Sequence, residues 1–222
     1  MGRYKAALFD LDGTLIDRVA AVGRVAEALY QEEPSIQTAL AQSKFVELFV
    51  GWDDDGYISS EDLYTLVQKT WPEVTRLLAE LLDWHYRMMS AAVQPDERIV
   101  AFLRNLNNAN VPWGIITNGG PAQRPKIAAG GFDDLMKFVI VSGEVGYAKP
   151  DPRIYQDGLK QLGEVPAVDT LFVGDNIETD IGGAQSAGMA TAWVKRGREW
   201  PSANQPPDYQ VDHVDELRAV LL

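Results

Sequence analysis

Residues 6–15 read Ala6-Ala7-Leu8-Phe9-Asp10-Leu11-Asp12-Gly13-Thr14-Leu15. Four apolar residues without polar alternation suit a strand buried on both faces, and the run stops at a carboxylate. Similar short runs recur at 113–116, 138–141, 171–173 and 190–194. Stretches 121–129, 152–162 and 177–187 between and after the later runs are long enough for helices. Strands alternating with helices specify βαβ units. The expected fold is therefore α/β, a Rossmann-like parallel sheet covered by helices on both faces. Ligands of such sheets bind beyond the carboxyl ends of the strands, so the residues after each run carry the functional information.

One interval breaks the alternation. No further strand-like run follows the first until residue 113, and residues 18–92 read as helices. Val74, Leu77, Leu78, Leu81 and Leu82 form an amphipathic stripe, and Leu63, Leu66 and Val67 a shorter one. A structureless loop of that length is implausible, so an inserted helical domain is expected over 18–93, with the α/β core at 1–17 and 94–222. Pro95 ends the last inserted helix and Asp96 starts the next. Residues 198–208, rich in Pro, Asn and Ser, read as a loop before a final strand and helix.

The 222 residues hold 20 Lys and Arg against 32 Asp and Glu, a formal charge of -12, and no cysteine. Disulfides, zinc–thiolate and iron–sulfur sites and a cysteine nucleophile are thereby excluded. The acidic balance argues against a nucleic acid polymer as partner. The opening apolar run is too short for a signal-peptide core, and no segment approaches a membrane span. The expectation is a cytoplasmic monomer or homodimer with no membrane partner.

Four strand ends deliver reactive groups. Asp10 and Asp12 follow the first, and Gly13 eases a departure from strand geometry that would turn both to one edge. Such a pair suits a divalent cation or a nucleophile beside an acid/base; a solvated acidic turn is the ordinary alternative. Thr117-Asn118-Gly119-Gly120 and a first-turn Pro121 follow the second run and offer an oxyanion cradle, or merely a capped helix. Lys149-Pro150-Asp151-Pro152 follows the third, where the prolines stiffen the chain around a lysine otherwise expected at the surface. Gly174-Asp175 and, a turn later, Asp180 follow the fourth; helix capping is the ordinary role for Asp180. Coincidence is a poor account of all four in chain order.

Together these residues resemble the four motifs of the haloacid dehalogenase superfamily: Asp10-x-Asp12-Gly13-Thr14, Thr117-Asn118, Lys149-Pro150, and Gly174-Asp175 through Asp180. The resemblance spans nearly the whole core, and the inserted helices are similar to the superfamily's type-one cap. It implies a phosphatase in which Asp10 attacks the phosphoryl group and Asp12 serves as acid and then base. It further implies Mg²⁺ held by Asp10, the Asp12 backbone carbonyl and Asp175, with phosphoryl oxygens bound by Thr117 and the N–H groups of Asn118 and Gly119. Lys149 would neutralise them and hold Asp10, and Asp180 would support Lys149 or a metal-bound water. Charge favours the cation too, since among the motif residues only Lys149 opposes four carboxylates and an incoming phosphate. The implied partner is a small phosphorylated metabolite of nucleotide or sugar phosphate type.

Within the superfamily, Asp12 argues against a 2-haloacid dehalogenase, whose halide needs no proton. The absence of a histidine soon after Asp12 argues against a mutase. Lys44 and Lys69, the lysines of the insert, are more simply solvated than poised to form a phosphonatase Schiff base. A non-catalytic binding domain would be expected to lack a nucleophile or ligand, and none is missing. Residues 116–119 and 142–146 look most like the nucleoside monophosphate and acylneuraminate-9-phosphate phosphatases, with phosphoglycolate phosphatases nearby. Trp52, Tyr57, Trp71, Trp84 and Tyr86 of the insert are expected mainly to pack, as is His85, which extends the 74–82 stripe. Residues 51–62 have the outline of an EF-hand loop but carry Gly51 and Asp62 at the end positions. A turn before a helix capped by Ser59 or Ser60 is the better reading.

Overall fold

The computed structural model describes residues 2–163, 165–201 and 203–222. The first residue of the expected core and Ser202 of the expected 198–208 loop lie outside them. Among the described residues six strands form one parallel sheet: β1 (Ala6–Phe9), β2 (Trp113–Thr117), β3 (Val139–Val141), β4 (Thr170–Gly174), β5 (Ala190–Val194) and β6 (Tyr209–Val211). Their order is β3-β2-β1-β4-β5-β6, every neighbouring pair parallel. β1, β2 and β4 are buried throughout, as apolar runs covered on both faces must be. Phe9 is level with Ile115 and with Val173, so β2 runs two residues and β4 one residue past the end of β1. The strand order reverses across β1 and β4, the crevice where ligands of such sheets bind.

Between β1 and β2 lie α1 (Arg18–Glu32), α2 (Pro34–Ala39), α3 (Gln42–Asp53), α4 (Ser60–Thr70), α5 (Leu78–Ala92) and α6 (Glu97–Asn108). Later come α7 (Gln123–Ala129), α8 (Ser142–Val145), α9 (Pro152–Gln161), α10 (Gly183–Ser186) and α11 (Arg218–Leu221). The chain up to Ile16 and Pro95–Leu222 pack as one compact unit, Asp17–Gln94 as another. The second unit has its own apolar core, including Val25 and Leu29 of α1, Phe45 and Phe49 of α3, Val67 of α4 and Leu81 of α5. Trp71 and Trp84 are buried in it, and Trp52 packs against Trp71, whereas Tyr57 and Tyr86 are exposed. His85 is buried, its Nδ1 3.2 Å from the Tyr64 hydroxyl. Asp53, within the EF-hand-like stretch, pairs with Arg18 at 2.6 Å, and Ser59 caps α4 through the Asp62 N–H.

Three local expectations are corrected. The 74–82 stripe is not one helix: α5 starts at Leu78, and Val74 and Leu77 precede it. Gln68 of α4 donates to the carbonyls of Val74 (3.2 Å) and Arg76 (2.8 Å), holding this segment as a loop. Val74 is buried from that loop, while Leu77 is 67% exposed. Pro121 does not open a helix either; α7 begins at Gln123 after a turn closed by the Gln123 N–H on the Gly120 carbonyl at 3.1 Å. Residues 177–187 are helical but not one α-helix. Ile177–Gly182 winds as a wider π-helix before α10.

Candidate active site

Asp10 continues β1 by one residue, its N–H bonding the Val173 carbonyl of β4 at 2.9 Å. Gly13, at φ +83°, then turns the chain. A Cβ there would lie 2.6 Å from the Asp175 carboxylate, so glycine is required for space as well as for conformation. Thr117 is the last residue of β2 rather than the residue after it. The Lys149–Pro150 peptide is cis, and the lysine side chain turns inward instead of into solvent: it is 4% exposed. Its ammonium donates to Asp10 Oδ1 at 2.6 Å and to Asp180 Oδ1 at 2.7 Å.

The π-helical turn accounts for Asp180. The Asn176 side chain caps the N–H groups of Glu178 and Thr179 (3.0 and 2.9 Å), and Asp180 Oδ2 accepts from the Asn176 N–H at 2.9 Å. Asp180 thus folds back over the strand end, where a Cβ at Gly174 would collide with it. Asp10, Asp175 and Asp180 each offer an oxygen within 4.8 Å of the others. Burial, helped by Asp180 and Asp175, pushes the Asp10 carboxyl well above the usual range against the pull of Lys149. Burial also pushes Asp175 up to about 6, with Asp180 adding to it and Arg198 opposing. Burial works against the Lys149 charge, but Asp10 and then Asp180 more than reverse this and hold it above its ordinary value. Both partners of the Asp10–Lys149 contact are thus pushed up. Burial raises the acid, and two carboxylates around one ammonium raise the lysine, so we read Lys149 as the charged member throughout.

Around this trio the other expected residues take different parts. The Asn118 side chain brackets the Lys149 backbone, donating to its carbonyl at 2.9 Å and accepting from its N–H at 2.8 Å. The Gly119 N–H donates to Ser142 Oγ at 3.0 Å, and the Gly143 N–H to the Gly119 carbonyl at 2.9 Å. That pins the loop after β2 to α8 and engages one of the N–H groups expected to meet a phosphate. Asp12 stands apart from the trio: its carboxylate is held by Lys126 and Gln123 of α7. Arg198 donates to Asp175 Oδ2 at 3.1 Å and to its carbonyl at 3.0 Å.

Gln123, Lys126 and Arg198 were not among the sequence candidates. Gln123 and Lys126 share a helix face directly after the Thr117 loop, which is the one sequence signal that points to them. Arg198 lies in a stretch that composition marks only as a loop. Lys126 and Arg198 also revise the charge reading. Lys149 is not alone: Arg198 pairs with Asp175, and Arg196 also pulls on that carboxylate.

The parallel α/β core thus gathers acids, a buried lysine and a hydroxyl at one sheet edge. The chain matches the haloacid dehalogenase-like hydrolases over residues 4–188. It is 33% identical to the human N-acylneuraminate-9-phosphatase, over 100% of this chain and 95% of that protein. It is 36% identical to a phosphoserine phosphatase of Thermus thermophilus over 66% of this chain, a match that spans 57% of the relative's length. The Bacillus subtilis protein YfnB, solved bound to magnesium, has the same fold: TM-score 0.77, 21% identity and 99% of each chain covered. The chain belongs to the haloacid dehalogenase-like hydrolases.

Proposed function

We propose that this protein is a Mg²⁺-dependent phosphomonoesterase acting on a small phosphorylated metabolite of nucleotide or sugar phosphate type. The observation that carries this is the Lys149 ammonium between Asp10 and Asp180, at the carboxyl edge of the sheet beside Asp175. Likeness to an N-acylneuraminate-9-phosphatase over the whole chain supports the substrate class.

The donor set suits a hard cation. Three carboxylate oxygens converge within 4.8 Å, and the glycine at 13 leaves room beside Asp175. Asp10, Asp175 and the Asp12 backbone carbonyl would hold Mg²⁺, which when bound offsets the charge of the phosphoryl oxygens. Asp10 then forms a bond to phosphorus as the bond to the leaving oxygen breaks, the electron pair staying on that oxygen. Asp12 gives the leaving oxygen its proton. It next takes a proton from the water that opens the aspartyl-phosphate, returning Asp10 and releasing phosphate. Thr117 and the Asn118 N–H bind the transferring oxygens, and Lys149 balances their charge while keeping Asp10 aimed. Asp12 is what separates this reading from dehalogenation, because an alkoxide leaving group needs a proton and a halide does not.

The test is phosphate release from a panel of nucleoside monophosphates, sugar phosphates, phosphoglycolate and an aryl phosphate. Release with Mg²⁺, loss with chelator and loss in Asp10→Asn are expected. Release that persists in Asp10→Asn would remove the nucleophile assignment. No release from any ester by folded, Mg²⁺-supplied protein would sink the phosphatase reading.

A further inference from the structure

Both oxygens of Asp12 are held from one helix. Lys126 Nζ lies 2.9 Å from each, and Gln123 Nε2 donates to Oδ2 at 2.8 Å. The same amide nitrogen lies 2.6 Å from Thr117 Oγ1, so one side chain couples the hydroxyl ending β2 to the carboxylate following β1. Lys126 and Gln123 are three apart on α7 and therefore share a face. Both are buried, which is rare for a lysine without a partner. Neither belongs to the motif residues.

We infer that Lys126 and Gln123 are positioning residues that fix the direction in which Asp12 presents its carboxyl to the leaving oxygen. This rests on the phosphatase reading, in which Asp12 protonates that oxygen as its bond to phosphorus breaks. A carboxylate on a freely turning side chain samples many directions; three N–H contacts leave it few, and such restriction is worth rate only where the group acts. Proton delivery matters in proportion to the need of the leaving oxygen. An alkoxide needs the proton, and 4-nitrophenolate hardly does. Loose placement of Asp12 therefore impairs alkyl esters selectively, whereas damage to the fold impairs both kinds alike.

The experiment compares kcat/KM, which reports the steps through phosphoryl transfer to Asp10, for an alkyl phosphate and for 4-nitrophenyl phosphate. General acid catalysis contributes about 10²–10⁴-fold, so Lys126→Met should lose roughly 30-fold or more on the alkyl ester and less than about 5-fold on the aryl ester. Lys126→Arg should restore most of the alkyl activity. In an Asp12→Asn background, Lys126→Met should add less than about 3-fold, because the two act as a unit. Should Lys126→Met fail to fold, Gln123→Leu keeps the Asp12 counter-charge and carries the same comparison. Equal losses on the two esters, or a full further loss in the Asp12→Asn background, would overturn the inference. A wild type that releases phosphate from neither ester overturns the phosphatase reading and this inference with it. A wild type active on both, with Asp12→Asn selectively impaired and Lys126→Met not, overturns this inference alone.

Discussion

Removing the Lys149 ammonium would leave Asp10 and Asp180 buried without their shared counter-charge. Breaking a buried pair from one side typically costs about 3–5 kcal/mol. Lys149→Met should therefore lower stability in urea by about that much as well as abolish phosphate release, and unchanged stability would mean the ammonium is not the buried counter-charge. Lys149 was legible in the sequence because Pro150, Asp151 and Pro152 mark its backbone as stiff. Asp10, Asp12 and Asp175 were legible because each follows a strand within two or three residues. Lys126 was not, since a lysine on a short helix looks solvated unless one knows that a carboxylate faces it. Asn118 was found for its backbone, yet its side chain turns out to brace Lys149. Sequence spacing brings a residue to the right edge without saying which of its groups is used.

Secondary-structure elements carry their own tests. Helix α9 passes so close to β2 that a Cβ at Gly158 would lie 2.5 Å from Ile116 Cδ1 and 3.1 Å from Leu8 Cδ1. Gly158→Ala should overpack this contact and lower stability by about 1–3 kcal/mol, read from the urea midpoint. Asp151 caps α9 at the Arg153 N–H, and the Arg153 side chain, with that backbone bond, holds its carboxyl down at about 2. Its folded value lies below its unfolded one, so its stabilisation is present above the ordinary carboxylate range and is lost as pH falls towards 2. The gap in thermal midpoint between wild type and Asp151→Asn should shrink between pH 7 and pH 2.5; a constant gap would contradict the pairing. Strands and long helices were readable from apolar runs and caps, including Asp96 at the start of α6. The 74–82 stripe misled because a loop residue, Val74, buries in step with the helix that follows. The π-helical turn was unreadable because it is accompanied by a side-chain contact, Asp180 with the Asn176 N–H, that apolar runs do not signal.

At the scale of the whole molecule, a cation bound by the folded state alone stabilises it by mass action, about 2.7 kcal/mol at a hundred times the Kd. Mg²⁺ should raise the thermal midpoint, chelator should reverse the rise, and Asp175→Asn should abolish most of it. A midpoint indifferent to Mg²⁺ would remove the cation from the trio. The insertion was evident from the missing strands between residues 10 and 112, a gap too long for a loop. The strand order was not evident, because apolar runs do not state their neighbours. That order has a consequence in time. β1 is made first, yet its partners start at Trp113 and Thr170. A ribosome adds roughly 5–20 residues per second, so roughly 5–20 s separate the synthesis of Phe9 from that of Ile115 beside it. In that interval the nascent chain holds an unpaired apolar strand while α1 to α5, whose contacts are local, can already assemble. The segment bearing Asp10 is the oldest part of the sheet, yet its second neighbour is the fourth strand to be made.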